Sequence, residues 1–336
     1  MNNNESPYNK FSLVSEMLET GEVVKNIDIS VIEKVAEQLK FKNNLLSGEG
    51  SSRIFPAKKS IVDSMKLSYD GAYHTEAATQ SLDYDLSNSN VFVASNSGKT
   101  KEGVRLIRSL KEKGHQSVIG VIANDNTPIQ TEADAHYLLT CGKEEAVAAT
   151  KSVVEQALFY DILFRKLNNK ALPDLNKLGD LITEVLESKV PESMITSLAS
   201  SPILYWAGEN NGVAEELTLK TNEITRKSSD FLEGTYAVHG IEEVMNPNES
   251  VVLVNPFPME EEKFEEVLCK GVGMNVFSIT SKESRFPTFK IPEYGEFTQY
   301  LELVAGWNVM VEIGLRLNVE MDKPERARKV GNEFAI

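Results

Sequence analysis

The feature that most constrains this chain is a recurring rhythm of short apolar run, polar turn and amphipathic helical segment. Val91-Phe92-Val93-Ala94 ends in the turn Ser95–Thr100 and is followed by a helical pattern to about Lys113. Leu45 and Leu46 lead into Gly48-Glu49-Gly50-Ser51-Ser52 and another helical pattern, Val118–Ile122 and Tyr137–Leu139 form further strands, and a long helix covers about Thr150 to Leu167. Strands separated by helices must run parallel, with helices on both faces of their sheet. A second round follows: Ile203–Ala207 as a strand, Gly212–Lys227 as a helix, then strands at Val251–Val254, Val276–Ile279 and Phe289–Ile291, and a helix from about Glu296 to Leu317. The chain therefore reads as one α/β unit played twice.

The join falls between Asn168 and Pro191, where Pro173 and Pro191 flank a polar helix. Apolar residues at helical spacing (Phe11, Val14, Met17, Leu18, then Val31, Ile32, Val35, Leu39) predict two N-terminal helices interrupted near Gly21. The expected divisions are an N-terminal helical segment over 1–42, a first α/β unit over 43–170, a second over 171–320 and a tail over 321–336. A length of 336 residues agrees with two cores rather than one. The formal net charge of −15 argues against nucleic acid or an anionic membrane as partner, since both need clustered Lys and Arg. An anionic ligand would have to be held by local geometry against the overall field. Cys141 and Cys269 have no metal-like spacing, and only four histidines are present, so neither a disulfide framework nor a zinc site is expected. The polar start Met1–Lys10 lacks the apolar core of a signal peptide, and no apolar run reaches membrane-spanning length, which predicts a cytoplasmic location.

Two loops could carry chemistry. In Ser95-Asn96-Ser97-Gly98-Lys99-Thr100 a buried strand ends in hydroxyl and amide side chains just before a helix. The N–H groups and partial positive charge of a helix start favour an anion there. Gly98 permits close backbone approach, and Ser95, Asn96, Ser97 and Thr100 can donate to a phosphate. The alternative is that Ser97 and Thr100 are only caps and turn formers. Gly48–Ser52 has the same layout, with too few glycines for a dinucleotide fingerprint, and no nucleotide P-loop pattern is present. Two such loops at strand ends of one sheet would converge on one crevice.

The Ser95–Thr100 loop resembles the Ser-x-Ser-Gly-x-Thr phosphate loop of SIS (sugar isomerase) domains. Glu145-Ala146-Val147-Ala148-Ala149-Thr150-Lys151 is similar to that superfamily's Val-Ala-Ser-Thr-Lys stretch. The run Ala214–Ile224, with Glu216, Lys220 and Glu223, resembles its Glu-x-x-x-Lys-x-x-Glu helix, and Asp322-Lys323-Pro324 followed by Lys329 its terminal Asp-x-Pro…Lys. Nearly the whole chain resembles the isomerase portion of glucosamine-6-phosphate synthase and its stand-alone relatives. The resemblance implies an α/β fold of two SIS subdomains, each a parallel five-stranded-type sheet flanked by helices in a flavodoxin-like α/β/α sandwich. It also implies a sugar-phosphate ligand, a homodimer with shared active sites, and neither metal nor organic cofactor. The synthase's glutamine-hydrolysing domain needs an N-terminal cysteine, whereas this chain starts Met1-Asn2-Asn3, so glutamine-dependent amination is not expected.

An aldose–ketose shift needs a base between C1 and C2, a ring-opening group and a partner for the enediolate. By the resemblance, Glu223 matches the base, His239 the ring-opening histidine often contributed across the dimer, and Lys329 a terminal lysine that reaches the sugar carbonyl, with the tail closing over the site. The implied phosphate and sugar contacts are Gly50, Ser51, Ser52, Ser95, Asn96, Ser97, Gly98, Thr100, Val147 and Ala149. Helical spacing puts Glu216, Lys220 and Glu223 on one face, which also fits a solvated salt-bridged surface. The chain departs from the pattern around His239, where the usual Glu-x-Arg/Lys-His-Gly-Pro is Tyr236-Ala237-Val238-His239-Gly240-Ile241. Ala149 stands where the relatives have a sugar-contacting serine, and Lys99 where a glutamate is common. Glu223, His239 and Lys329 together favour an isomerase of a C6-phosphorylated or C6-anionic hexose or amino sugar, and the departures around His239 separate it from neither alternative reaction. A deglycase or deaminase acting on a ketosamine 6-phosphate, and a sugar-phosphate sensor without catalysis, are the alternatives.

Overall fold

A computed structural model describes residues 1–326 and Glu333. The chain packs as two compact units. The first comprises Glu22–Glu144, Ala149–Leu175 and the described residues beyond Pro324; the second comprises Met1–Gly21, Glu145–Ala148 and Asn176–Pro324. In order along the chain come α1 (Ser12–Lys25), α2 (Ile29–Ala36), β1 (Asn43–Gly48), α3 (Ile54–Lys66), β2 (Tyr73–Glu76), α4 (Ala78–Ser81), β3 (Ser89–Ser95), α5 (Lys101–Glu112), β4 (Val118–Ile122), α6 (Pro128–Glu132), β5 (Ala135–Leu138) and α7 (Lys151–Leu167). Then follow α8 (Leu175–Glu187), α9 (Glu192–Ser200), β6 (Ile203–Gly208), α10 (Val213–Thr225), β7 (Ser228–Glu233), β8 (Ser250–Val254), α11 (Glu261–Phe264), which continues as a π-helical stretch over Glu265–Val272, β9 (Asn275–Thr280), β10 (Thr288–Lys290) and α12 (Thr298–Arg316).

The first unit holds a parallel sheet of order β2-β1-β3-β4-β5, and the second a parallel sheet of order β10-β9-β8-β6-β7. Read from the other edge, the second order is the first repeated, so the α/β fold of two five-stranded subdomains is as expected. The repeat extends to register: Gly48 ends β1 opposite Ala94, and Gly208 ends β6 opposite Val254. Four strands of each sheet stand out as apolar runs. The fifth is Tyr73-His74-Thr75-Glu76 in one unit and Ser228–Glu233 in the other, too polar to be seen in the sequence. Both lie at a sheet edge beside the first strand, where only one neighbour covers them.

Gly21 does not interrupt a helix; α1 runs through it. A Cβ there would lie 2.7 Å from the carbonyl oxygen of Gly179, so the glycine allows α8 to approach closely. The break comes instead at Asn26–Asp28, where Asp28 caps α2 by accepting from the N–H of Ser30 at 2.9 Å.

Alternation along β3 sends Val91 and Val93 into a cluster with Val104, Ile107, Leu110 and Ile129, while Phe92 on the other face meets Phe159, Tyr160 and Phe164 of α7. Burial of each such ring contributes roughly 1.5–3 kcal/mol. Helix α7 is buried along nearly its whole length and carries charge inward. Lys59 of α3 contacts Asp63 at 2.7 Å and Asp161 at 2.8 Å, and Arg165 lies 3.5 Å from Asp63 and 3.6 Å from Asp161. Burial pushes the Asp63 carboxyl up to about 6, against the pull of Lys59. This cluster ties together the two helices that leave the Gly48–Ser52 and Ala149–Thr150 turns. Removing one partner of such a buried set is costly because the charges left behind stay out of water. Asp63→Ala is therefore expected to lower the unfolding free energy by about 3–5 kcal/mol in urea titration.

Candidate functional site

In the first unit, β1 and β3 are neighbours whose chain connections depart to opposite sides, which is the switch point of an open parallel sheet. The two loops singled out from sequence leave these strands. Ser95 is 2% exposed; its Oγ lies 2.7 Å from Thr100 Oγ1 and accepts the N–H of Gly98 at 3.1 Å. Ser97 Oγ accepts the N–H of Lys99 at 3.2 Å. Gly98 has φ 66°, and a Cβ there would sit 2.3 Å from Thr127 Oγ1, so only glycine fits this turn. The loop is thus shaped by its own hydroxyls, with α5 starting directly after Thr100. Thr100 also forms an antiparallel bridge with Glu333, so a described residue near the chain end meets the loop.

Asn96 is oriented by a residue the sequence reading passed over. Glu144, 1% exposed, accepts from Asn96 Nδ2 at 2.9 Å, Thr150 N at 2.7 Å, Thr150 Oγ1 at 3.0 Å and Ser152 Oγ at 2.5 Å. One carboxylate thereby fixes the β3 loop against the start of α7, beside Ala149. Nothing in the local sequence marks Glu144, because its partner Asn96 is 48 positions away.

The other loop turns through Gly50–Ser52, with Gly50 at φ 52° and Arg53 N–H donating to the Gly50 carbonyl at 3.0 Å. Burial raises the Glu49 carboxyl above its ordinary value, against the hydrogen bond from Ala78 N–H. Arg53 was also missed, although its place directly after Ser52 is legible. It donates to Thr75 Oγ1 at 3.4 Å. Among the described residues neither Arg53 nor Lys99 forms an ion pair, although the Arg53 charge lies near enough to the Glu49 carboxyl to favour its ionised form.

In the second unit, α10 does not present a solvated charged face. Lys220 and Glu216 are 1% and 0% exposed, and Glu223 is 28% exposed. The Lys220 ammonium lies 2.8 Å from Glu223 Oε2 and 3.3 Å from Glu216 Oε1. Burial alone would lower the Lys220 pKa, but Glu223 and Glu216 outweigh it and hold the ammonium above its ordinary value. Glu223 is left as a carboxylate aimed by a buried cation and reachable from outside. His239 is exposed on the β7–β8 connection, and its Nε2 lies 3.3 Å from Lys263 Nζ rather than on Glu223. With an ammonium as donor, that ring nitrogen is the acceptor. Val147 packs with the second unit, its N–H donating to the Asp322 carbonyl at 3.2 Å. Lys329 lies outside the described residues.

Two surface clefts of the first unit, about 500 and about 600 Å³, flank the Tyr84–Leu86 stretch and include no residue of either loop. Among the described residues, no group of three or more His, Cys, Asp or Glu is placed to hold a metal, and no helix is long and apolar enough to cross a membrane.

Comparison with known proteins agrees with this architecture. The family model described as SIS domain matches residues 69–166. A glutamine–fructose-6-phosphate aminotransferase (isomerizing) of Staphylococcus aureus is 24% identical over 262 residues, covering 73% of this chain and 43% of that protein. The chain thus spans less than half the length of that relative. Among solved structures, tagatose-6-phosphate ketose/aldose isomerase from Escherichia coli superimposes with TM-score 0.79 at 15% identity, covering 94% of this chain and 96% of that one. Glucosamine-6-phosphate deaminase from Thermotoga maritima gives TM-score 0.75 at 18% identity, covering 95% and 99%.

Removing the Glu144 carboxylate would orphan buried donors on both sides of it. Glu144→Ala is expected to lower the unfolding free energy by about 3 kcal/mol and to weaken binding of inorganic phosphate, read by denaturant titration and calorimetry.

Proposed function

The chain is a SIS-domain protein, and from that premise we propose that it is a phosphosugar isomerase. It would move the carbonyl of a C6-phosphorylated or C6-anionic hexose or amino sugar between C1 and C2. The observation that carries this reading is the Glu216–Lys220–Glu223 arrangement on α10. A sensor would need only a place for the anion. A carboxylate held in one orientation by a buried ammonium, yet itself part-exposed, can reach a bound ligand to accept and return a proton.

In this reading the Ser95–Thr100 loop anchors the phosphate, with N–H groups at the start of α5 and the ammonium of Lys99 as donors. Gly50, Ser51, Ser52 and Arg53 supply the second loop. Local cations matter because a net charge of −15 opposes any anion at long range. His239 takes the proton of the anomeric hydroxyl and returns one to the ring oxygen, opening the sugar. Glu223 then removes the proton from C2 of the aldose, leaving an enediolate charged at O1; the proton of the C2 hydroxyl passes to O1, and Glu223 delivers a proton to C1 to give the ketose. Lys329 stabilises the oxygen that gains charge, and Val147 and Ala149 contact the sugar. A homodimer with shared active sites, acting in the cytoplasm, belongs to the same reading.

Release of an amine from a ketosamine phosphate would begin with the same enolisation, so the test must follow both the proton and the product. Fructose-6-phosphate, glucosamine-6-phosphate and a fructosamine 6-phosphate would each be incubated in deuterated water and followed by NMR. Deuterium should enter at C1 or C2 of one of them. Glu223→Gln should reduce that exchange by about 100- to 10,000-fold, the usual share of one acid–base group. Carbonyl transfer without amine release supports the isomerase. Free amine points to the deglycase or deaminase, and binding without exchange to a sensor.

A further inference from the structure

Arg226 follows the last residue of α10 and holds a left-handed backbone, φ 61°. That conformation is uncommon for a residue with a Cβ, and helices that end in it most often use glycine. A strained residue persists where its surroundings over-determine it. Here the surroundings are carbonyl oxygens. Nη1 donates to the carbonyl of Glu223, while Nη2 donates to those of Glu320 at 2.9 Å and Lys323 at 2.5 Å.

The short turn gripped in this way has two further attachments. The Asp322 carboxylate accepts the N–H groups of Ser12 and Leu13, each at 2.8 Å, capping the start of α1. The Asp322 carbonyl accepts the N–H of Val147 at 3.2 Å. Glu223 and Val147 are therefore fastened to the same four residues of backbone, 320–323, within one compact unit.

We infer that Arg226 is a positioning residue: its guanidinium sets the end of α10, and with it Glu223, against the turn that also holds the Val147 backbone. The role rests on the isomerase reading, in which Glu223 moves the proton and Val147 touches the sugar. Arg226 itself touches neither substrate nor reacting atoms. Its loss should leave ligand anchoring intact and misplace the base, and a displacement of about 1 Å is enough to cost about 100-fold in rate.

Arg226→Gly is the informative variant, because glycine keeps the left-handed backbone without strain and deletes only the side chain. Amide hydrogen exchange by mass spectrometry should show residues 320–323 exchanging about tenfold faster than in the wild type, as expected for a locally loosened segment. With the sugar phosphate that the wild type enolises, kcat should fall by about 10- to 100-fold with KM changed less than about twofold. A turn with wild-type protection overturns the clamp, and a loosened turn with unchanged kcat overturns the positioning role while leaving the isomerase reading intact. If the wild type enolises no sugar phosphate, the isomerase reading fails and the positioning role falls with it; hydrogen exchange then still decides whether Arg226 holds the turn.

Discussion

Parallel strands cannot be joined by tight turns, so every connection in this molecule must climb across a face of its sheet. Helices then cover both faces, and unpaired backbone N–H groups remain where strands end and helices begin. In the order β2-β1-β3-β4-β5 the chain leaves β1 and β3 toward opposite sides, so their loops part and leave a crevice. The second unit repeats the order, but its equivalent positions are filled differently. The turn after β6 contains Glu209, and the first turn of α10 carries Glu215 and Glu216, which disfavours an anion at that helix start. One architecture thus yields a hydroxyl-rich turn with cations in one unit and a carboxylate system in the other.

Burial of Lys220 sets the charges of α10 apart from an ordinary surface ion pair. An exposed Glu–Lys pair three or four residues apart is worth only a few tenths of a kcal/mol and is common on helix surfaces. An ammonium that is 1% exposed between two carboxylates is costly unless both partners stay in place. Glu216 is buried with it, and only Glu223 reaches outward. Glu144 plays a comparable part in the other unit, where one buried carboxylate organises Asn96, Thr150 and Ser152.

Much of this was legible in the sequence because burial on both faces makes parallel strands continuous apolar runs. Val91–Ala94 and Val251–Val254 announce themselves in this way, and the edge strands Tyr73–Glu76 and Ser228–Glu233 do not. Gly21 misled because glycine is a helix breaker in isolation, whereas here it lets α1 lie against Gly179. At the site, the helical spacing of Glu216, Lys220 and Glu223 was visible, but their exposure was not, and burial of Lys220 and Glu216 rules out a solvated salt-bridged face. Glu144 and Arg226 were not legible as site residues because Asn96 in one case, and the Glu320 and Lys323 carbonyls in the other, reach them only through the fold.

The most direct measurement follows one hydrogen. An aldose 6-phosphate deuterated at C2 would be converted in ordinary water by wild-type protein and by Glu223→Gln. The account predicts ketose carrying deuterium at C1 in part and solvent hydrogen for the rest, since one carboxylate carries the proton between carbons and can lose it on the way, and almost no conversion by the variant. Complete transfer of the label without solvent hydrogen, or conversion that survives the loss of Glu223, would contradict it.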